Sequence, residues 1–412
     1  MSTEALRINE DILHELMLYM GPVEHAAAAL VAHRWTPPAQ KALYRSITFR
    51  VYGESELECP GPQLVETLKH HSHLRALVRQ ISIHASTSQE MDWMDMFSEE
   101  SLRNFTYICW PRNAFSPALL QKDAIRTVPH LTAHGPMDAA GLQACFELPL
   151  METLELDLSD WDLRMASSRP PMRMVLPTLD VTVDASRARN LEHLYVHIQC
   201  ICQPIVIAIL AALAHQLRSL HIHVSPGAKL DSRGSWAKEF IGHVRRGANL
   251  TRVVFSGFPE SHAAFSARNI AQQTHPYSQA ALSARWQQWE RTQQVQPFLN
   301  VIAQQSALEH LGCIDGLYTE ELFRTLPHTM RALDFYVDEE TFGCEGALLD
   351  LLGRVEEDGL FLRRVTFFAA EERRTLFGVI EAACKENGVD FVFFPVVTPL
   401  NNPPTRPAIA WD

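Results

Sequence analysis

Apolar residues recur along the chain with two periods, one helical at the start and one alternating inside a longer motif further on. Ile8, Ile12, Leu13 and Leu16 share one helical face, and Asn9 precedes the acidic pair Glu10 and Asp11, which suits a helix N-terminus. The pattern predicts an amphipathic helix over about 9–20, broken by Gly21-Pro22. An alanine-rich run from Glu24 to Val31 predicts a second short helix ending near Trp35, and Pro37-Pro38 opens a third that continues through Leu43 to Tyr44. Downstream the spacing changes to apolar, two residues, apolar, one residue, apolar. The motif is read at Val78-Ile81-Ile83, Val128-Leu131-Ala133, Met151-Leu154-Leu156, Leu191-Leu194-Val196, Leu217-Leu220-Ile222, Leu250-Val253-Phe255, Leu308-Leu311-Cys313, Met330-Leu333-Phe335 and Leu362-Val365-Phe367.

The middle residue steps from 131 to 154, from 194 to 220 and from 311 to 333, inside the roughly 20–29 residues of a leucine-rich repeat. The longer steps from 81 to 131 and from 253 to 311 leave room for a missed repeat or an insertion, and Leu179-Val181-Val183 adds a further alternating segment. Helix-compatible stretches lie between the strands, at Gln63 to Lys69, Ile205 to His215, Trp236 to Arg246 and Ala347 to Glu356. Strand then helix, repeated, predicts an α/β fold: a short helical N-terminal module followed by an irregular solenoid, with parallel strands on the concave side and helices outside, curved like a horseshoe. The predicted organisation is a module over 1–50, an array over 51–397 with an insertion near 262–296, and a proline-rich tail over 398–412. The insertion is rich in Gln, Ala, Ser and Arg and places Leu282, Trp286 and Trp289 at helical spacing. Two readings stay open for it, an enlarged repeat helix and a surface helix that binds a partner. At the C-terminal end, Leu376 to Asn387 reads as a helix, Gly388 as its stop and Val389 to Phe394 as a closing strand.

A length of 412 residues exceeds one ordinary core, so either two or three domains or one elongated array is expected. At 47% hydrophobic and 20% charged residues the composition is that of a folded chain. The formal charge of −12 repels phosphate backbones and argues against nucleic acid as a partner. The longest apolar stretch, Ile205 to Ala214, falls far short of the ~20 residues that cross a bilayer, so no membrane partner is expected. Eight dispersed cysteines without a disulfide framework suit a reducing compartment, cytoplasmic or nuclear.

The N-terminal segments I-N-E-D-I-L-H-E-L at 8–16, L-V-A-H-R-W at 30–35 and P-P-A-Q-K-A-L-Y-R-S-I at 37–47 resemble the F-box-like domain of many fungal leucine-rich repeat proteins. Leu30, Val31, Trp35, Leu43 and Tyr44 stand where that family has its apolar and aromatic anchors. Ile8, Asn9 and Asp11 depart from its usual leucine, proline and glutamate, and the proline is the residue that fixes the chain entering the adaptor groove. The resemblance implies a substrate receptor of a cullin-type ubiquitin ligase, with a Skp-type adaptor held by Ile8, Ile12, Leu13, Leu16, Val31 and Trp35 and a protein target held by the repeats. The same apolar faces also suit a helical cap that closes the array, or a repeat scaffold with no ligase role. An adaptor-binding face leaves residues such as Ile8, Ile12, Val31 and Trp35 at least partly accessible, whereas a cap buries them.

Alternation along the predicted strands points His130, Thr132, His134, Glu155, Asp157, His193, Tyr195, His197, His221, His223, Asp334, Tyr336 and Asp338 to the concave face. Of these, His134, Asp157, Tyr195, His197, His221, His223, Asp334 and Tyr336 are the candidate target contacts, since Tyr and His combine rigid area with hydrogen bonds and the acids favour a basic ligand. Polar residues at these positions are also what any solvated sheet requires. His193, His197, His221, His223 and Asp157 have the residue types of a zinc site, yet no HExxH or paired CxxC accompanies them, and no metal is assigned. Cys200-Ile201-Cys202 lacks redox spacing. Without a G-x-S-x-G, a phosphate loop or a dinucleotide fingerprint, neither catalysis nor a cofactor is expected.

Overall fold

The computed structural model describes residues 10–52, 56–58, 61–85, 91–109, 117–135, 139–158, 183–184, 186–200, 204–229, 234–257, 297–337 and 342–396. Ile8, Leu179, Val181, Ile201, Cys202, Asp338, the predicted insertion at 262–296 and the tail at 398–412 lie outside them. The chain divides into two compact units, one with the described residues up to 158 together with those from 183 to 191, the other with those from 192 onward.

Three helices open the first unit: α1 (Glu10–Leu18), α2 (Pro22–Val31) and α3 (Thr36–Arg45). Pro22 occupies a first turn, where its missing N–H costs nothing. Met17, Ala28 and Ala39 form the buried centre of this module, with Met20, Ala29, Trp35 and Ala42 packed against it. Two polar bonds fix the turns: the buried His25 ring donates from Nε2 to the Met17 carbonyl at 2.8 Å, and Thr36 Oγ1 donates to the Ala29 carbonyl at 2.9 Å. Both acceptors lie in the last turns of their helices, where carbonyls lack helical partners.

α3 runs directly into β1 (Ser46–Tyr52), which pairs antiparallel with β2 (Glu56–Glu58) and parallel with β3 (Gln80–Ala85). Parallel pairing continues through β4 (Asn104–Cys109), β5 (His130–His134) and β6 (Thr153–Asp157). The connections carry α4 (Gly61–His70), α5 (Ser72–Arg75), α6 (Pro117–Leu120), α7 (Asp123–Arg126), α8 (Ala139–Phe146) and a 3-10 turn at Asp92–Met96. In the second unit β7 (His193–Cys200), β8 (Ser219–Lys229), β9 (Arg252–Gly257), β10 (His310–Ile314), β11 (Ala332–Tyr336), β12 (Arg364–Ala369) and β13 (Asp390–Pro395) pair in parallel in chain order. Between them lie α9 (Pro204–Leu213), α10 (Gly234–Arg246), α11 (Phe298–Ile302), α12 (Glu345–Arg354), α13 (Gly378–Glu386) and 3-10 turns at Glu320–Arg324 and Glu371–Phe377.

The register makes the apolar motif a set of buried ladders. Ile47, Ile81, Phe105, Leu131 and Leu154 align in the first unit, and Leu194, Leu220, Val253, Leu311, Leu333 and Val365 in the second. All of them are buried. Burying these alternate positions leaves the intervening side chains on the opposite, open face of each sheet. All nine predicted motif copies coincide with strands. The long step from 81 to 131 holds a further copy, Leu102-Phe105-Tyr107, buried like the rest. No further strand separates β9 from β10 among the described residues, because Val253 pairs directly with Leu311.

Strand entries repeat one hydrogen-bond device. The Glu309 carbonyl accepts from the amides of Arg331 at 2.7 Å and Ala332 at 3.0 Å, and the Arg331 carbonyl accepts likewise from Arg363 and Arg364. The same two-to-one bond starts β4, β6, β8, β9 and β10. Gly135 and Gly257 share a φ of +114° just past β5 and at the end of β9, and a Cβ at Gly257 would fall on the Val224 carbonyl oxygen of the neighbouring strand. Only glycine fits that approach. Gly388 ends α13 at φ +66°, as the sequence predicts.

Candidate functional site

Two surfaces carry the residues singled out above. On the helical module, burial separates the residues of α1 sharply. Leu13 is 0% exposed whereas Ile12 is 53% exposed. Leu13 is therefore part of the packing rather than a partner contact, which corrects the expectation for it, whereas Trp35 packs on the Met17, Ala28 and Ala39 centre and stays partly accessible. Leu16 and Val31 are exposed as an adaptor surface requires. Sequence reasoning missed Leu18, Tyr19 and Val23, all exposed, and placed Leu30, exposed by 88%, among the family's anchors without making it an adaptor contact. Helical spacing contains the signal, since Ile12, Leu16 and Tyr19 form one stripe on α1 and Val23, Leu30 and Val31 one on α2. Seven of the twelve exposed large apolar side chains among the described residues thus fall between positions 12 and 31.

The open faces are polar but much less free than alternation alone suggests. In the first unit His134 Nε2 lies 2.8 Å from Glu155 Oε1, and Thr132 Oγ1 donates to Glu155 Oε2 at 3.4 Å. Asp157 sits beside His134 in register and is half-buried. In the second unit the rings of Tyr195 and His221 approach edge-on with centroids 4.3 Å apart, and those of His197 and His223 at 4.6 Å. Ser256 Oγ joins both β8 histidines, 2.6 Å from His221 Nε2 and 2.9 Å from His223 Nδ1. An O–H···O bond also links Ser256 to Tyr336. His310 Nε2 lies 2.6 Å from Asp334 Oδ2.

Tyr195, His221 and Asp334 are consequently buried, each covered by its neighbours on adjacent strands, and are not the free target contacts expected of them. His134, Asp157, His197, His223 and Tyr336 keep partial exposure. The carboxylates of Glu155 and Asp334 are already engaged by histidines, so the predicted attraction for a basic ligand is largely matched within the sheet. Burial drives the His221 imidazole well below its usual range, reinforced by His223, Arg252 and His310. For Asp334 burial acts to raise the carboxyl, but hydrogen bonds and charge from His310, Thr366 and Arg364 outweigh it and hold it below the usual carboxylate range. Burial raises the Tyr336 phenol.

A third feature escaped the sequence. Tyr336, Phe368 and Phe394 align across β11, β12 and β13, with centroids 4.5 Å apart at 4° for the first pair and 5.2 Å apart at 13° for the second. They form a face-to-face aromatic stack along the open face, back to back with the buried Phe335 and Phe367.

Among the described residues no group of three or more His, Cys, Asp and Glu is placed to hold a metal ion, and no helix is long and apolar enough to cross a membrane. No family model matches the chain, and no curated protein matches it.

Proposed function

We propose that this chain is the substrate-recognition subunit of a cullin-RING ubiquitin ligase of the SCF type, with α1 and α2 binding a Skp-type adaptor and the leucine-rich repeats holding a protein target. The observation that carries the reading is the concentration of exposed apolar residues on α1 and α2, including Ile12, Leu16, Tyr19, Leu30 and Val31. A patch of that kind on a small helical module favours burial against another protein. It coincides with the segments that resemble the F-box-like domain. The receptor performs no chemistry itself, and acts by raising the effective concentration of a target near the ligase's catalytic subunits.

Co-purification with a Skp-type adaptor tests this. The intact chain is expected to form a stable complex, and Ile12→Asp with Leu30→Asp is expected to weaken it at least tenfold while leaving the circular dichroism and melting temperature unchanged. No complex from a folded intact chain, or one indifferent to both substitutions, overturns the reading. The alternative, a repeat interaction scaffold in which the helices serve only as a cap, is favoured by one observation. α3 passes without a break into β1, and the Arg45 carbonyl between them accepts the Arg79 amide at 2.9 Å, so the third helix is continuous with the array.

A further inference from the structure

Three arginines, Arg45, Arg79 and Arg103, stand side by side at the strand-entry edge of the first unit, and we infer that this row binds an acidic segment of a partner protein. Backbone bonds set the row. The Arg45 carbonyl accepts the Arg79 amide at 2.9 Å and the Arg79 carbonyl accepts the Arg103 amide at 2.7 Å, so the three succeed one another just before β1, β3 and β4. Adjacent strands lie about 4.8 Å apart, which places the three within about 10 Å. All three are exposed, and none forms an ion pair among the described residues. Arg79 donates from Nη1 to the Val78 and Ser101 carbonyls, at 3.0 and 3.2 Å, and keeps its charge unmatched. The row ends where Pro129 and Glu152 take the corresponding places before β5 and β6.

The strand-entry edge of the second unit is built differently. There the row contains Glu192, Arg218, Thr251, Glu309, Arg331 and Arg363, joined by the same backbone bonds. Arg218 Nε lies 3.1 Å from Glu192 Oε2, and Arg331 Nε lies 3.5 Å from Glu309 Oε2, so glutamates offset two of the three arginines from within. Like charges one strand spacing apart repel instead. The first unit bears a cost that the second mostly avoids, and an external anion relieves it.

The shape of the row selects the anion. A guanidinium offers a planar fork of donors matched to a carboxylate. An extended peptide advances about 3.3 Å per residue, so a run of about four acidic residues spans the row. One phosphorylated side chain concentrates its charge at a point and reaches only part of it. A nucleic acid carries its charge past the row, onto a chain whose formal charge is −12. A short acidic run matches the patch and ends with it.

Fluorescence anisotropy of the full chain with a labelled hexaglutamate peptide between glycine-serine flanks tests this. No adaptor is present, so the outcome is separate from the adaptor reading. At about 0.1 M salt, where charges more than about 10 Å away are screened, the peptide is expected to bind saturably and its glutamine counterpart not to bind. A threefold rise in salt should weaken binding at least fivefold, a measurement on the unaltered chain that needs no variant to fold. Arg45→Glu with Arg103→Glu leaves Arg79 and its backbone bonds in place and should weaken binding at least tenfold. Arg218→Glu with Arg331→Glu makes the same change in net charge on the second unit's edge and should weaken it less than twofold. The inference is overturned by the absence of saturable binding, by binding indifferent to salt, or by equal losses from the two pairs of substitutions. Tighter binding of a peptide whose sole anion is one phosphoserine, or of a single-stranded oligonucleotide, overturns it as well.

Discussion

A hydroxyl has one proton, and Ser256 has to satisfy two imidazole nitrogens, His221 Nε2 at 2.6 Å and His223 Nδ1 at 2.9 Å. That proton can go to only one of them, so at least one of the two rings donates its own N–H to the Ser256 oxygen. Burial favours the neutral imidazole of His221, holding that ring well below its usual range. His84, His130 and His243 are also lowered, with burial the largest cause for each. As pH falls through about 6.5, the unfolded histidines take up protons that the folded ones refuse, so the unfolded state gains and stability declines. Stability contributed by these groups is present above the unfolded value and lost on acidification. Urea unfolding at pH 5 and pH 7 should show the chain more stable at pH 7, and His221→Gln should remove roughly 1 kcal/mol per pH unit from that slope. An unchanged slope in the variant would show that His221 does not set it.

At the scale of elements, α1 shows how far a pattern of apolar residues can be read. The period identifies the helix, but both of its faces are apolar, and periodicity does not say which one meets the protein and which one solvent. Packing decides it: Leu13 and Met17 turn in, while Ile12, Leu16 and Tyr19 turn out. Leu13→Ala should therefore cost about 2–5 kcal/mol in chemical denaturation, as a buried leucine truncation does, whereas Ile12→Ala should stay within about 0.5 kcal/mol. Equal effects would mean that the two faces are assigned wrongly. The strands were legible for a firmer reason, because each motif supplies two inward residues in register with those of the next. Leu102-Phe105-Tyr107 was overlooked because aromatic residues replace leucine at two of its three positions, and β1 because it continues α3 without a breaker. The open faces were legible only as a direction. Alternation says that Tyr195, His221 and Asp334 point away from the helices, but it does not say that rings and partners on adjacent strands bury them. Nor did it reveal the stack of Tyr336, Phe368 and Phe394, since Phe368 and Phe394 each follow an inward phenylalanine and read as part of one apolar run.

Across the chain both units follow one rule, in which the next parallel strand in sequence is the next strand in the sheet. Such connectivity makes stability a sum of nearest-neighbour interfaces, so damage stays local instead of spreading through a common core. The aromatic centre near the end of the second unit allows a direct check. Phe367 stacks on Phe335 at 5.3 Å and on Phe377 at 4.3 Å and meets Phe391 of β13 at 5.9 Å, which ties β11, β12, β13 and the 3-10 turn at Glu371–Phe377 together. Phe367→Ala removes a fully buried ring from that centre, at a cost of about 3–5 kcal/mol. If each interface stands on its own, amide hydrogen exchange should accelerate at least tenfold in β11, β12 and β13, while β7, β8 and β9 keep their protection. Acceleration of equal size in β7 to β9 would instead make the second unit one cooperative block, and the repeat-like description would then apply to its geometry but not to its energetics.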